Sequence, residues 1–522
     1  MMKKVISYII KTVLMLVCVC LLYVQSVFAS DYRVTLTDTE IKEVGREMYG
    51  LDFTFSSLNS FVNEDLSLNE NVIGQFEDYA IPNSRMMGTA SRFYKWKNSI
   101  GSYGERGYTG MYSLKKEKVG IVEWIKVVRA IDPEATFTFT LNLETDTAAN
   151  AADLAEFLTG DGSVNYNGGI NWAEKRKELG IEEPVSVIWE LGNETDQSAA
   201  GLIYPFSAED YVKVAKKFIF AIRKVDNNAI FAAHSATNSL SVENPSDQIT
   251  NRGGWNRTVI TNLQDYIDYF VFHSYGSIQQ NYMKMKTNLD FAISDMKEQL
   301  KDENRDRIKL YFTEYSVYHS DADYKVGYQL KGALTVSEMI NRLLLVPEVE
   351  RANYHNFMNS HSRGAFYQTK VDGENEGAYK ASVLGEMLDM YSDYGVGTVV
   401  ESELEKKYLF FWTEGYKNDS EAGVTSAVVK NGNRYCVFLS NQMNESHNLY
   451  FSLPSGSYKL VGKRVISGPE LTSSNWYSSE YPDEEETDEI TVSEETLNTS
   501  ISSSTNISVP KYSMSVYVIE KS

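Results

Sequence analysis

Eight short apolar runs, separated by amphipathic helical stretches, constrain this chain more than any other feature. The runs are REMYGLDF (46–53), NSRMMG (83–88), ATFTFTLNL (135–143), VSVIWELGN (185–193), AIFAAHS (229–235), IDYFVFHSY (267–275), IKLYFTEYS (308–316) and RANYHNF (351–357). Helical stretches such as GIVEWIKVVRAI (120–131), SAEDYVKVAKKFIFAIRKV (207–225) and QLKGALTVSEMINRLLLV (329–346) lie between them. Ser207, three residues before Asp210, reads as an N-cap with Asp in place of the usual Glu. Near-continuous apolar strands alternating with helices indicate parallel strands buried on both faces. Eight such units predict an α/β fold, a (β/α)8 TIM barrel over residues 45–395. The second and fifth runs carry the weakest strand pattern, so the count of eight rests on them.

From residue 396 to 522 the pattern changes to short alternating segments with turn signals at Asn431-Gly432 and Pro454-Ser455-Gly456. This predicts a C-terminal all-β sandwich, joined by a strand from residues 31–44 that would make the domain discontinuous. Two domains suit 522 residues, since single cores stop growing well below that length. Residues 480–495 hold nine acidic residues and no basic one, and read as a solvated surface loop.

Residues 1–29 begin with Lys3 and Lys4, continue through the apolar run TVLMLVCVCLLYV (12–24) and end Val27-Phe28-Ala29. That order predicts a signal peptide cleaved after Ala29, and hence a secreted or extracytoplasmic protein. A retained N-terminal anchor is the alternative, with Lys11 snorkelling. No later stretch is apolar enough to span a bilayer. The formal charge of −21 becomes −24 (−21 − 3) once Lys3, Lys4 and Lys11 are removed. So acidic a chain lacks the clustered Lys and Arg that nucleic acid requires. Of three cysteines, two lie in the first 20 residues, which leaves Cys436 without an internal disulfide partner. No Cys/His cluster has zinc-site spacing, and neither a metal nor another cofactor is expected.

In a barrel of this kind the site forms at the C-terminal ends of the strands, so polar residues that end apolar strands are the candidates. Ile188-Trp189-Glu190-Leu191-Gly192-Asn193-Glu194 ends in Asn193 and Glu194, where partial desolvation favours a retained proton. Leu310-Tyr311-Phe312-Thr313-Glu314 ends in Glu314, and Arg85, His273 and Tyr275 end neighbouring strands as donors that would keep it ionised. Each glutamate alone reads more often as a surface or ion-paired residue. Together, on the fourth and seventh strands, one protonated and one ionised carboxyl form the pair that glycoside cleavage uses. His355 on the last strand is a further candidate, and Glu190, inside its strand, reads as a buried ion-pair member.

At these residues the chain resembles clan-A retaining glycoside hydrolases, most closely the family 51 α-L-arabinofuranosidases, over nearly all of its length. Arg85-Met86-Met87-Gly88 with Tyr94-Lys95-Trp96-Lys97-Asn98-Ser99-Ile100-Gly101 resembles that family's Arg-x-Pro-Gly-Gly and Tyr-x-Trp-Lys-x-x-Ile-Gly. WELGNE (189–194) matches Trp-Glu-x-Gly-Asn-Glu, DYFVFHSY (268–275) is similar to Asp-Tyr-x-Ser-x-His-x-Tyr, and TEYS (313–316) occupies the nucleophile's place. The resemblance implies Glu194 as acid/base and Glu314 as nucleophile in a double displacement on an oligosaccharide or polysaccharide. It implies Asn193 bound to the hydroxyl beside the anomeric carbon, Arg85, His273 and Tyr275 holding Glu314, and Trp96 lining the sugar pocket or buried in the barrel. The chain departs from the family after Tyr49-Gly50, where a sugar-binding Glu gives way to Leu51-Asp52-Phe53-Thr54-Phe55. Heparanase-like family 79 enzymes, acting on uronic acids, and β-xylosidase-like family 39 enzymes are the related alternatives. A catalytically silent carbohydrate-binding protein on the same scaffold is the alternative from another class.

Overall fold

The computed structural model describes residues 31–522 except 87, 109–117, 200, 237–251, 277–280, 318–323, 359–362, 370–377, 409–410, 413–422 and 477–486. The expected signal segment, its cleavage after Ala29 and part of the acidic stretch lie outside the described residues. Strand β1 (Asp31–Val44) precedes eight parallel strands: β2 (Gly50–Phe53), β3 (Asn83–Met86), β4 (Thr136–Thr140), β5 (Val187–Leu191), β6 (Ile230–His234), β7 (Tyr269–Gly276), β8 (Lys309–Val317) and β9 (Val349–Tyr354). They pair in chain order and close into a barrel where β2 meets β9, with Gly50 opposite Asn353 and Leu51 opposite Tyr354. All eight apolar runs therefore supply barrel strands, including the two with the weakest pattern.

Helices Ile121–Ile131, Ala148–Thr159, Ala208–Arg223, Arg252–Leu263, Asn281–Gln299, Leu330–Leu344 and Val383–Tyr394 alternate with or follow these strands. The Ser207 side chain accepts from the Asp210 backbone N–H at 3.1 Å, the capping contact its position predicts. Low in the barrel the interior is polar. Tyr311 donates to Asn353 Oδ1 at 2.7 Å and to Asn83 Oδ1 at 2.9 Å, and lies 2.8 Å from Thr138 Oγ1. Such a satisfied network sets how the strands stack beneath the site.

Of the remaining strands, 366–368 pairs with 379–381 and 475–476 with 487–488 in two small sheets, and the others form one ten-stranded curled sheet, whose main path runs 491–501, 458–467, 513–521, 434–441, 424–431, 397–408, 31–44, 447–452 and 506–509. Within it β1 pairs antiparallel with Gly397–Tyr408 and parallel with His447–Ser452. Period-two alternation decides its two cores. Tyr32, Val34, Val428, Val437 and Tyr517 share an inner cluster. Their neighbours Val429, Cys436, Phe438 and Val516 join the barrel's core instead. Part of the acidic stretch is strand rather than loop, because Thr491–Ile501 forms an exposed edge against Tyr458–Ser467. Among the described residues no helix is long and apolar enough to cross a membrane.

Candidate active site

Each functional side chain sits where a strand runs out at the same end of the barrel. Asp52 on β2 lies opposite Arg85 on β3, and Thr140 on β4 lies opposite Glu190 on β5. Between β7 and β8 the register slips after Phe272, so His273 faces Glu314. An irregularity of this kind re-aims a side chain without breaking the ladder.

Arg85 is fully buried and joins the cluster together. Its Nε donates to Glu190 Oε2 at 2.7 Å and its Nη2 to Glu190 Oε1 at 3.1 Å, a bidentate pair. Nη2 also reaches Asn193 Oδ1 at 2.8 Å, and Nη1 reaches Asp52 Oδ2 at 3.0 Å and Glu314 Oε1 at 2.8 Å. Burial alone would raise the Glu190 carboxyl, but Arg85 and His273 outweigh it and hold Glu190 down at about 2. Thr140 adds a hydroxyl donor to Glu190. Glu190 is thus the permanently ionised base of the cluster.

Glu314 receives Arg85 on one oxygen and the Tyr275 hydroxyl, at 2.6 Å, on the other. Burial opposes its charge, yet His273, Arg85 and His355 hold its carboxyl well below the usual range. His273 spans the gap to Glu194, with Nδ1 3.0 Å from Glu194 Oε1 and 3.6 Å from Glu314 Oε2. Its Nε2 donates to Thr313 Oγ1 at 2.9 Å. Burial disfavours the imidazolium, but Glu314, Glu190 and Glu194 together push His273 up to about 10. Both ring nitrogens therefore act as donors near neutrality.

Glu194 differs from the other carboxyls in its surroundings. Its side chain is 23% exposed, against 6% for Glu314. Only Oε1 has a hydrogen-bond partner among the described residues. It sits on a turn with φ +46° after Gly192 at φ +82°. The turn is held from behind. Burial keeps His234 neutral; its Nδ1 donates to Ser235 O, so Nε2 accepts from the Thr195 hydroxyl at 2.6 Å. Arg92, paired with Glu144, donates to the carbonyls of Glu194 and Gln197. A carboxylate oxygen of Glu194 and one of Glu314 lie within 4.8 Å of each other.

Asn193, Arg85, His273, Tyr275, Glu194 and Glu314 thus meet at one barrel mouth. Trp96 does not join them. It is buried in a short turn, packs on Trp172 and Phe157 and donates to Asn150 O at 3.0 Å. The sequence reading overlooked Asp52. Its Oδ2 accepts from Arg85 and from His355 Nδ1, the latter at 2.5 Å, while its buried Oδ1 has no partner among the described residues. The signal was present, since Asp52 is the polar residue between Leu51 and Phe53 at the end of an apolar strand. Two donor sets, Asp52–Glu314–His355 and Glu194–His273–Glu314, are close enough to surround a cation. Arg85 already occupies an oxygen in the first set, and His273 faces both carboxyls in the second, so both read as hydrogen-bonded clusters.

A family model described as an alpha-L-arabinofuranosidase 1 domain matches residues 84–291, which hold Arg85, Glu194, His273 and Tyr275. An enzyme of Acetivibrio thermocellus named intracellular exo-α-(1→5)-L-arabinofuranosidase is 24% identical over 311 residues, covering 56% of this chain and 58% of the relative. A Streptomyces lividans enzyme of the same name is 27% identical over 186 residues, 35% of this chain and 26% of that one. The chain thus spans little more than half of the first relative's length. Among solved structures, a family 51 α-L-arabinofuranosidase of Thermotoga petrophila superposes at a TM-score of 0.71 with 18% identity, over 94% of this chain and all of that one. A family 51 α-L-arabinofuranosidase of Bifidobacterium longum gives 0.73 with 15% identity, over 95% and 100%. Barrel and sheet are arranged as in those structures. The expectation of a secreted or extracytoplasmic protein is corrected here, because the four curated relatives are all named intracellular. Export was inferred from local composition alone, and no packing in the barrel or sheet depends on it.

Proposed function

We propose that this clan-A, family 51-like chain is a retaining glycoside hydrolase that removes arabinofuranosyl-type groups from an oligosaccharide or polysaccharide. The observation that carries the reading is the pair Glu194 and Glu314, with oxygens within 4.8 Å and unequal surroundings. Retaining enzymes hold their carboxyls about 5–5.5 Å apart and inverting enzymes about 6.5–9.5 Å. The close approach supports retention.

Glu314, held ionised by Arg85, Tyr275 and His273, attacks the anomeric carbon. As that bond forms, the glycosidic C–O bond breaks and Glu194 gives its proton to the departing oxygen. The product of this step is a glycosyl ester on Glu314. Glu194, now ionised, takes a proton from water, whose oxygen attacks the same carbon and frees Glu314. Oε2 of Glu194, without a hydrogen-bond partner among the described residues, is the oxygen that carries the proton. His273 keeps Glu194 and Glu314 in register through both steps. The Asn193 amide NH2, with Oδ1 fixed on Arg85, is left to meet the neighbouring hydroxyl. Trp96 has only a packing role here.

The test is hydrolysis of a panel of aryl furanosides, xylosides and glucuronides, with the first-formed product anomer followed by NMR. Retention on an α-L-arabinofuranoside is expected. Inversion, or near-normal turnover by Glu194→Ala or Glu314→Ala, would contradict the reading.

A further inference from the structure

Arg363 stands at the rim of this site without an ion-pair partner among the described residues. It follows β9, its carbonyl accepts from the Tyr354 hydroxyl at 2.8 Å, and its guanidinium carbon lies 5.3 Å from the centre of the Tyr275 ring. Tyr275 is the residue that donates to Glu314. Among the described residues the Arg363 side chain has no hydrogen-bond or ion-pair partner, and its Nε is buried without one. Every other arginine whose side chain the structure describes meets a carboxylate or a main-chain carbonyl. A chain with 71 acidic and 50 basic residues has carboxylates to spare, yet none among the described residues pairs with this one.

His355 flanks the same tyrosine from another side, with ring centres 6.0 Å apart. Asp52 fixes its ring by accepting from Nδ1, and Nε2 has no partner among the described residues. Two nitrogen-bearing side chains thus bracket Tyr275, one fixed by a carboxylate and the other resting on an aromatic face.

We propose that Arg363 and His355 form a carboxylate-binding subsite beside Tyr275, so that the saccharide hydrolysed here carries a uronic acid carboxylate next to the cleaved bond. The inference rests on the retaining-glycosidase reading above: a carboxylate on a neighbouring sugar narrows its arabinofuranosyl substrate class, and one on the reacting sugar replaces that class with uronosides. A guanidinium presents a planar fork that matches a carboxylate bidentately, and stacking on Tyr275 sets its orientation beforehand. Sugar hydroxyls would accept the same hydrogen bonds but would leave a half-withdrawn positive charge uncompensated. The carboxylate belongs either to the reacting sugar or to its neighbour in the leaving group, and both sources present the same chemistry.

Two matched substrate pairs separate these sources. The first is an aryl glucuronide with the corresponding aryl glucoside. The second is an arabinofuranosyl-bearing oligosaccharide containing uronic acid, with its carboxyl-reduced form. The full chain is expected to prefer the acidic member of one pair by tenfold or more in kcat/KM. Raising the salt should shrink that preference. Arg363→Gln should bring the ratio close to one, and Arg363→Lys, which keeps the charge but loses the fork, should fall between. Melting curves of both variants check that they fold. Preference for the neutral member, equal turnover within both pairs, or a ratio that Arg363→Gln leaves unchanged would overturn the subsite while leaving the glycosidase reading intact. Absence of hydrolysis of every substrate would overturn both.

Discussion

His273 ties the charge of the site to the stability of the barrel. Its protonated form is favoured in the fold, up to about 10, through Glu314, Glu190 and Glu194. A group raised in this way contributes stability that is complete below its ordinary value near 6.5 and is lost as pH climbs towards 10. His273→Gln should therefore destabilise the fold most at pH 6, by about 3 kcal/mol if breaking a buried pair sets the scale, and its melting-temperature gap to wild type should narrow towards pH 10. A gap that stays constant with pH would show that His273 is neutral in the fold. Gly88 is tested at the same scale. A Cβ there would stand 2.9 Å from Glu314 Oε1 and push the carboxylate off Arg85. Gly88→Ala should lower kcat at least about tenfold while changing stability by no more than about 1 kcal/mol. Single residues were legible where a polar group ends an apolar strand, as with Glu194, Glu314 and Arg85. The same criterion picks out Asp52, the polar residue between Leu51 and Phe53. Trp96 shows the opposite limit. An aromatic residue after a strand carries no mark that separates a pocket wall from a helix contact, and here Trp172 and Phe157 claimed it.

At the scale of elements, the turn after β5 is where backbone conformation serves the site. Gly192 has φ +82°, and a Cβ would come 2.8 Å from Thr195 Cγ2 and 3.2 Å from Leu143 Cδ1. Gly192→Ala should cost about 1–3 kcal/mol and reduce activity together, because the strained turn carries Glu194. Unchanged melting and turnover would show that the turn relaxes freely. Strand runs were readable because burial on both faces leaves β-rich apolar stretches of the right length. Asn83–Met86 survived a weak pattern because barrel closure, rather than intrinsic propensity, decides a four-residue strand. Hidden from the sequence was the polar layer of Asn83, Thr138, Tyr311 and Asn353, since each member alone looks like an interruption of a strand. The acidic stretch misled for a related reason. An edge strand that faces water on most of its length needs no apolar alternation, and Thr491–Ile501 has almost none.

Across the whole molecule, one core runs from the barrel through helices Leu330–Leu344 and Val383–Tyr394 into the curled sheet. Tyr391 stacks on Phe438 with ring centres 4.4 Å apart and planes 11° from parallel, and its hydroxyl donates to Asn341 at 2.7 Å. We propose that barrel and sheet, divided near residue 396, therefore unfold as one unit. Phe438→Ala should destabilise by about 3–5 kcal/mol and lower a single melting transition rather than split it in two. Resolution into two transitions would show independent units. The change of pattern near residue 396 was plain in the sequence, but the shared core was not, because alternation assigns a residue to a face without saying what covers that face. In the proposed reaction Glu314 supplies the oxygen that bonds to the anomeric carbon. The most direct test is to stall the second half of the reaction, using Glu194→Ala with a substrate whose aryl leaving group departs without an acid, and to map the labelled peptide by mass spectrometry. One glycosyl group on the peptide that contains Glu314 is the expected result, and a label on any other residue, or an inverted free sugar with no label, would contradict it.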